Sequence, residues 1–148
     1  CCTFVSPSGD TKVQRARNFR MPTIASIARL GSEAAARLEG VILENLDILD
    51  RQVAAVAALP PLERLFRIQS GFLIGWSHPA LARAWTSDLR REVERRLAAA
   101  GAAARAGDVR LSMHPAQHAI LATANPAALD NALRDIAEHG EVYAMLGY

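Results

Sequence analysis

Two histidines stand in short loops that follow apolar segments, and their side chains are the ones in this sequence best suited to chemistry. His78 lies in the loop of residues 75–79, and His114 directly follows residues 109–113. If the preceding segments are parallel strands, both histidines reach the edge of the sheet where such folds bind ligands. Two imidazoles at this edge predict a metal site. Neutral imidazole ligands suit Mn, Zn or Fe, whereas a site for Mg alone would be built from oxygen ligands. A histidine before proline is also a common hydrogen-bonded turn residue, so that interpretation stays open for both.

The other candidate residues give weaker hypotheses. His118 is a less favourable ligand, and His139 falls inside a predicted helix, away from the strand ends, where we interpret it as structural or surface-exposed. The chain has no G-x-S-x-G, P-loop or C-x-x-C motif, so no nucleophilic centre is predicted. Four arginines within residues 90–96 alternate with glutamates, which is typical of a solvated helix face rather than a nucleic-acid patch. Within this stretch Glu92 and Arg96 are spaced for a surface ion pair.

Hydrophobic periodicity predicts the elements that would position the two histidine loops. Apolar residues at steps of three and four predict a helix over residues 33–58, with Ser32 as its N-cap and Pro60 as its stop. Residues 65–68 are short, mostly apolar and followed by a polar, glycine-containing segment, which predicts a buried strand. Residues 109–113 alternate apolar and polar side chains and predict a second strand.

Two further helices follow these strands. The first is predicted over residues 80–100, with Gly101 and Gly107 marking its end. The second begins with Asn125 as N-cap before a proline, and Gly147 fits its C-terminal cap. The apolar residues of that last helix are Leu129, Leu133, Ile136, Val142 and Leu146.

The order of these elements predicts the fold class. Residues 1–5 fit the tail of an earlier strand, and residues 6–31 fit a long loop. The chain then alternates strand and helix, which is typical of an α/β fold with parallel strands and right-handed crossovers.

Composition sets broad limits on function. The 148 residues suit one domain, and a formal net charge of +2 does not by itself indicate a nucleic-acid partner. Cys1 and Cys2 are adjacent and unsuited to an unstrained disulfide, so we expect a reducing, cytoplasmic compartment. No apolar run approaches a membrane span. The missing initiator Met indicates a chain that begins inside a longer gene product; a lipidated N-terminal cysteine is the alternative.

Several motifs, in order along the chain, resemble those of the UV damage endonuclease family. Residues 109–117 (VRLSMHPAQ) are similar to its R-L-S-[MF]-H-P-G-Q pattern, followed by an N-P step and a helix ending in L-G. Residues 66–68 (FRI) and 77–79 (SHP) resemble its second strand and loop. Residues 44–46 (ENL) resemble its helix signature, and the two cysteines resemble the end of its first strand. The match covers nearly the whole chain, and the H-P-x-Q element is fairly specific.

This resemblance implies a fold and an activity. The fold would be a (β/α)₈ TIM barrel of the class shared with endonuclease IV and xylose isomerase. The activity would be metal-dependent incision of damaged double-stranded DNA on the 5′ side of UV photoproducts and other lesions. By position, His78 and His114 would ligate divalent metal ions, usually Mn²⁺, with Zn²⁺ or Mg²⁺ as alternatives. Gln117 and His118 would lie on the loop that probes distorted DNA.

The chain departs from the family pattern at particular residues and in its length. Ala116 stands where glycine is usual, which would disfavour a positive-φ turn, and His118 stands where tyrosine is common. The three βα units fall short of a closed barrel, which needs about 250 residues. We therefore interpret residues 1–148 as the N-terminal part of one barrel domain, lacking the carboxylate ligands of later strands and inactive alone.

Two other hypotheses remain open from the sequence. A barrel metal enzyme could act on a sugar or another small molecule, an alternative suggested by the altered loop at residues 116–118. A degenerate, non-catalytic remnant with an alanine-rich helical surface is the other, suggested by the missing ligands. Nicking of lesion-bearing DNA would separate the first hypothesis from both.

Overall fold

The computed structural model describes residues 18–116 and 119–148. The predicted strand at residues 1–5 and the residues Gln117 and His118 therefore lie outside the described part. Three short 3-10 turns connect the main elements, at Gly31–Glu33, Pro61–Glu63 and Pro79–Leu81. In chain order the helices and strands are α1 (Ile24–Ala28), α2 (Ala34–Ala57), β1 (Leu65–Ile68), α3 (Ser87–Ala106), β2 (Arg110–Met113) and α4 (Pro126–Leu146).

The two strands pair in parallel, as the alternation of strands and helices predicts. Leu65 lies opposite Arg110 and Ile68 lies opposite Met113. Alternate residues of a strand point to opposite faces, so this register places Phe66 and Ile68 on a buried face with their β2 partners, whereas Leu65 and Arg67 are exposed. The sheet is thus covered on one face within the described residues. The α/β class is confirmed, and the parallel pair is compatible with part of a barrel.

Helix α2 carries the core stripe that its sequence predicts. The residues of the stripe are Leu38, Ile42, Leu46, Leu49, Val53 and Val56, and all of them are buried. The expected N-cap is wrong: Ser32 lies inside the 3-10 turn, and Glu33 occupies the cap position without a side-chain hydrogen bond. Gly31 opens that turn at φ +55°, so the chain tightens before the α-helix starts.

Helix α3 starts later and ends later than the sequence predicts. The His78–Pro79 step starts a separate 3-10 turn, and the α-helix begins only at Ser87, where the Thr86 hydroxyl accepts from the Leu89 N–H at 3.2 Å. Gly107 is the C-cap as expected, but Gly101 does not end the helix. It lies in the interior of α3, where the backbone of α4 approaches it closely.

Helix α4 has the predicted caps but buries only part of its predicted apolar set. The Asn125 side chain accepts from the Ala127 and Ala128 N–H groups, and Gly147 closes the helix at φ +73°. The buried residues are Ala132, His139, Val142 and Leu146. Leu133 and Ile136 remain 52% and 38% exposed. Val142 and Leu146, together with the small Ala132 and the polar His139, therefore make the contact with the rest of the fold.

Helices α2 and α3 are joined by an ion-pair cluster that the sequence does not indicate. Arg96 is only 19% exposed and contacts Asp47 and Asp50 of α2 at 2.7 and 2.6 Å. The expected pair of Glu92 with Arg96 is wrong, because Glu92 pairs with Arg95 one turn away. The solvated-face interpretation therefore fits the exposed pair at Arg95 but not Arg96, which faces the neighbouring helix.

Candidate metal centre

His78 is exposed in the loop after β1 and caps the short turn that follows. Its Nδ1 accepts a hydrogen bond from the Ala80 N–H at 3.2 Å. A neutral imidazole that accepts at Nδ1 carries its proton on Nε2, which leaves no free lone pair for a cation. In this arrangement the ring acts as a hydrogen-bonded turn residue, which is the interpretation that the sequence left open. Metal ligation requires the hydrogen bond from the Ala80 N–H to be broken.

His114 is the first residue after β2 and is exposed. Its Nδ1 lies 2.6 Å from the carbonyl oxygen of Pro115. A carbonyl oxygen only accepts, so this contact places the proton on Nδ1 and leaves the Nε2 lone pair free. A backbone carbonyl that fixes the tautomer in this way is a common support for a metal-ligating histidine.

The strand pairing brings both histidine loops to the same edge of the sheet. Because β1 and β2 run parallel with Ile68 opposite Met113, both strands deliver their following loops at their carboxyl ends. This is the edge at which the sequence places the candidate site.

Helix α4 contacts both loops through polar side chains on one side of the helix. Glu138 accepts from the Ser77 hydroxyl at 2.7 Å, and Glu141 accepts from the Trp76 indole N–H at 2.6 Å. Burial raises the pKa of the Glu138 carboxyl above its ordinary value, against the lowering effect of the Ser77 hydrogen bond. The loop after β1 is thus held to α4 immediately before His78.

The loop after β2 is held by the same helix. Asp135 accepts from the Ala116 N–H at 3.0 Å, and His139 Nε2 lies 3.2 Å from the His114 carbonyl oxygen. His139 Nδ1 contacts the Asp135 carbonyl oxygen at 2.6 Å, so both ring nitrogens donate at once only when the imidazole carries two protons. The expectation that His139 lies away from the strand ends is therefore wrong: it is buried against the end of β2. Of the two expected alternatives, structural or surface-exposed, its burial fits the first.

Ala116 does not adopt the positive φ that would favour glycine at this position. In the described part of the chain, Asp108 at φ +53° is the one non-glycine residue with positive φ. Ala116 therefore keeps an ordinary backbone conformation, and the expected cost of replacing glycine does not arise here. The neighbouring Gln117 and His118, expected on the DNA-probing loop, remain predictions because they lie outside the described residues.

The donor set within residues 18–116 and 119–148 fits a divalent cation only in part. No group of three or more His, Cys, Asp or Glu side chains in these ranges is arranged to hold a metal ion. His114 Nε2 has no hydrogen-bond partner within these ranges, whereas the carboxylates of Asp135 and Glu138 are engaged with the loops. A cavity of about 10 Å³ beside Glu138 and His139 has room for about one water, not a nucleotide. A complete metal centre would thus need further ligands.

Sequence reasoning missed Asn45 as a support of this region, although it lies in the ENL signature. Asn45 is fully buried in α2 and donates to the Phe72 carbonyl in the loop after β1 at 2.8 Å. It also accepts from the Arg20 N–H and donates to the Arg20 carbonyl. An asparagine one helical turn from Ile42 and from Leu49, inside a core stripe, was the available signal, because a buried amide needs partners.

A parallel strand pair with both histidine loops at its carboxyl edge defines an α/β protein, a class in which ligands commonly bind at the strand ends. The model of the UV-endonuclease UvdE family matches residues 3–148, and the chain belongs to that family. Membership indicates a DNA-repair nuclease that acts on UV-damaged DNA. A comparison with curated proteins found no match. In the described segments, no helix has the length and apolar character needed to cross a membrane.

Proposed function

We propose that this protein is a metal-dependent DNA-repair endonuclease that incises damaged duplex DNA 5′ to UV photoproducts and other lesions. Family membership supports the substrate class. The single observation that carries the metal dependence is the His114 ring, whose Nδ1 is engaged by Pro115 while its Nε2 has no hydrogen-bond partner among residues 18–116 and 119–148. His78, once released from Ala80, would be the second imidazole ligand.

The bound ions would be Mn²⁺, with Zn²⁺ or Mg²⁺ as alternatives. Divalent cations at such a site supply activation of water and stabilisation of the charge that develops on the phosphate. The chain's own contribution is to orient the His114 ring through Pro115 and to fix the loop backbone through Asp135. Gln117 and His118 would contact the distorted duplex, where a poorly stacked lesion costs less to extrude than a normal pair.

We also propose that these residues form the N-terminal part of one TIM-barrel domain. The exposed face of the β1–β2 pair and the incomplete donor set support this proposal, since a barrel would cover that face and bring carboxylates from later strands. Activity is accordingly expected from a protein that carries this chain together with the remaining strands.

The test is nicking of UV-irradiated supercoiled plasmid by that protein in the presence of Mn²⁺. We expect nicking that a chelator abolishes, and a loss of about 100-fold in rate for His114→Ala, since removal of a ligand should cost at least as much as loss of its outer support. Undamaged plasmid should be cut far more slowly.

The matched control is Arg91→Ala, which removes an exposed charge on α3 and should leave nicking unchanged. Tight Mn²⁺ binding without nicking or affinity for damaged duplex would instead favour a barrel enzyme acting on a small molecule. Absence of both Mn²⁺ binding and nicking would favour a non-catalytic remnant.

A further inference from the structure

Helix α4 presents a row of polar residues that all bond outside their own helix. We name Asp135, Glu138, His139 and Glu141 the α4 clamp. Glu138 and Glu141 accept from Ser77 and Trp76, side chains of the loop that carries His78. Asp135 and His139 contact the Ala116 N–H and the His114 carbonyl oxygen, in the loop after β2. One rigid element therefore holds both histidine loops.

The clamp bonds lie next to the two histidines. Ser77 directly precedes His78, and His139 reaches the backbone of His114 itself. Within residues 18–116 and 119–148, no direct hydrogen bond joins residues 76–78 to residues 114–116. Beyond the ends of β1 and β2, the distance between the His78 loop and the His114 loop therefore depends on their contacts with α4.

The part of the clamp that contacts the loop after β2 is largely shielded from solvent. The side chains of Asp135 and His139 are only 19% and 10% exposed. Hydrogen bonds from neutral donors to carboxylates are stronger than neutral pairs, and partial burial limits competition from water. A contact of this kind restricts loop position more than an exposed surface bond would.

We propose that Asp135, Glu138 and His139 are positioning residues that set the relative placement of the His78 and His114 rings for divalent-cation binding. This inference rests on the proposed function, because it assigns the clamp to the same metal centre. The clamp residues do not touch the metal ion or DNA; they act through the backbone and side chains of the two loops. Removal of a clamp acceptor should therefore weaken cation affinity without removing a ligand.

The experiment compares paired substitutions in the protein used for the nicking assay. Asp135→Ala and Glu138→Ala delete the acceptor, whereas Asp135→Asn and Glu138→Gln retain an acceptor oxygen. Mn²⁺ affinity is measured by calorimetric titration and by the Mn²⁺ electron paramagnetic resonance signal. We expect the alanine variants to bind about tenfold more weakly, within the range for outer support of metal ligands, and the amide variants to recover most of that loss.

Asp130→Ala is the control, because Asp130 is exposed on the same helix and its removal should leave Mn²⁺ affinity unchanged. Amide hydrogen exchange at Ala116 and His78, followed by NMR, reports the loops without metal. We expect faster exchange at Ala116 in Asp135→Ala and at His78 in Glu138→Ala.

Two outcomes would overturn the inference. One is unchanged Mn²⁺ affinity in both alanine variants, even with a lower melting temperature, which would assign these residues to folding alone. The other is unchanged exchange at Ala116 and His78, which would show that the clamp does not restrain the loops. If the wild-type protein binds no Mn²⁺, the proposed function fails; the clamp's role in loop placement is then decided by amide exchange.

Discussion

At the residue scale, Asn45 ties three parts of the fold together with one side chain. Its Oδ1 accepts from the Arg20 N–H at 2.7 Å, and its Nδ2 donates to the Arg20 and Phe72 carbonyl oxygens at 2.9 and 2.8 Å. The side chain is fully buried among apolar residues of α2. The amide thus connects α2 to the segment before α1 and to the loop that leads to His78.

We expect Asn45→Ala to lower the free energy of unfolding by about 2–4 kcal/mol, because a buried carbonyl at Phe72 and part-buried backbone groups at Arg20 would lose their partner. Asn45→Asp should also destabilise, since an acceptor-only carboxylate cannot donate to the two carbonyl groups. Urea unfolding followed by circular dichroism measures both changes. The control is Asn131→Ala, at an exposed site on α4, with an expected change within about 0.5 kcal/mol. A loss at Asn45 no larger than at Asn131 would contradict this account.

At the element scale, α3 and α4 meet at a contact that only glycine permits. A Cβ on Gly101 would lie 1.8 Å from the Leu146 carbonyl oxygen, so the backbone of α4 occupies the space of a side chain. Arg105 of α3 donates to the Leu146 and Gly147 carbonyl oxygens at 2.7 and 2.9 Å. The C-terminal end of α4 is thereby fixed to α3, and this contact holds the helix that carries the clamp.

Gly101→Ala should destabilise the protein by about 2 kcal/mol or more, since backbone atoms of α4 must move to admit the methyl group. Gly40→Ala is the matched control: Gly40 is also inside a helix, and its added Cβ meets nothing within 4 Å. That substitution should stabilise by up to about 1 kcal/mol through helix propensity. Thermal unfolding of both variants gives the comparison. Equal stabilisation by the two alanines would show that α3 and α4 do not approach as described.

At the scale of the whole molecule, the described fold is a one-sided α/β layer. Phe66 and Ile68 pack into the core with 7% and 0% exposure, whereas Leu65 on the opposite face is 45% exposed. A barrel would place that second face in its packed interior. The face at Leu65 is therefore where the barrel proposal can be checked.

In the 148-residue chain, Leu65→Ala should cost less than about 1 kcal/mol, whereas Phe66→Ala should cost about 3–5 kcal/mol as a core truncation. Chemical unfolding of the two variants measures the difference. In a longer protein with the remaining strands, the loss in free energy of unfolding caused by Leu65→Ala should approach that of truncating a buried leucine. If Leu65→Ala still costs less than about 1 kcal/mol in that protein, the Leu65 face of the strand pair is not a barrel interior and the barrel proposal is wrong.

The sequence alone determined those features whose cause is local along the chain. The core stripe of α2, the Asn125 and Gly147 caps of α4 and the two strands followed from periodicity and capping chemistry, which involve residues a few positions apart. The motif order likewise indicated the family that the comparison confirmed.

Tertiary structure decided the features whose partners lie far away in the chain. Arg96 bonds to Asp47, 49 residues away, and not to the nearby Glu92. Gly101 meets the backbone of Leu146 inside α3 and does not end the helix. His139 and the rest of the clamp acquire their role only because α4 packs beside both histidine loops. Local spacing cannot encode that packing, since it depends on how the helices pack together around the strand pair.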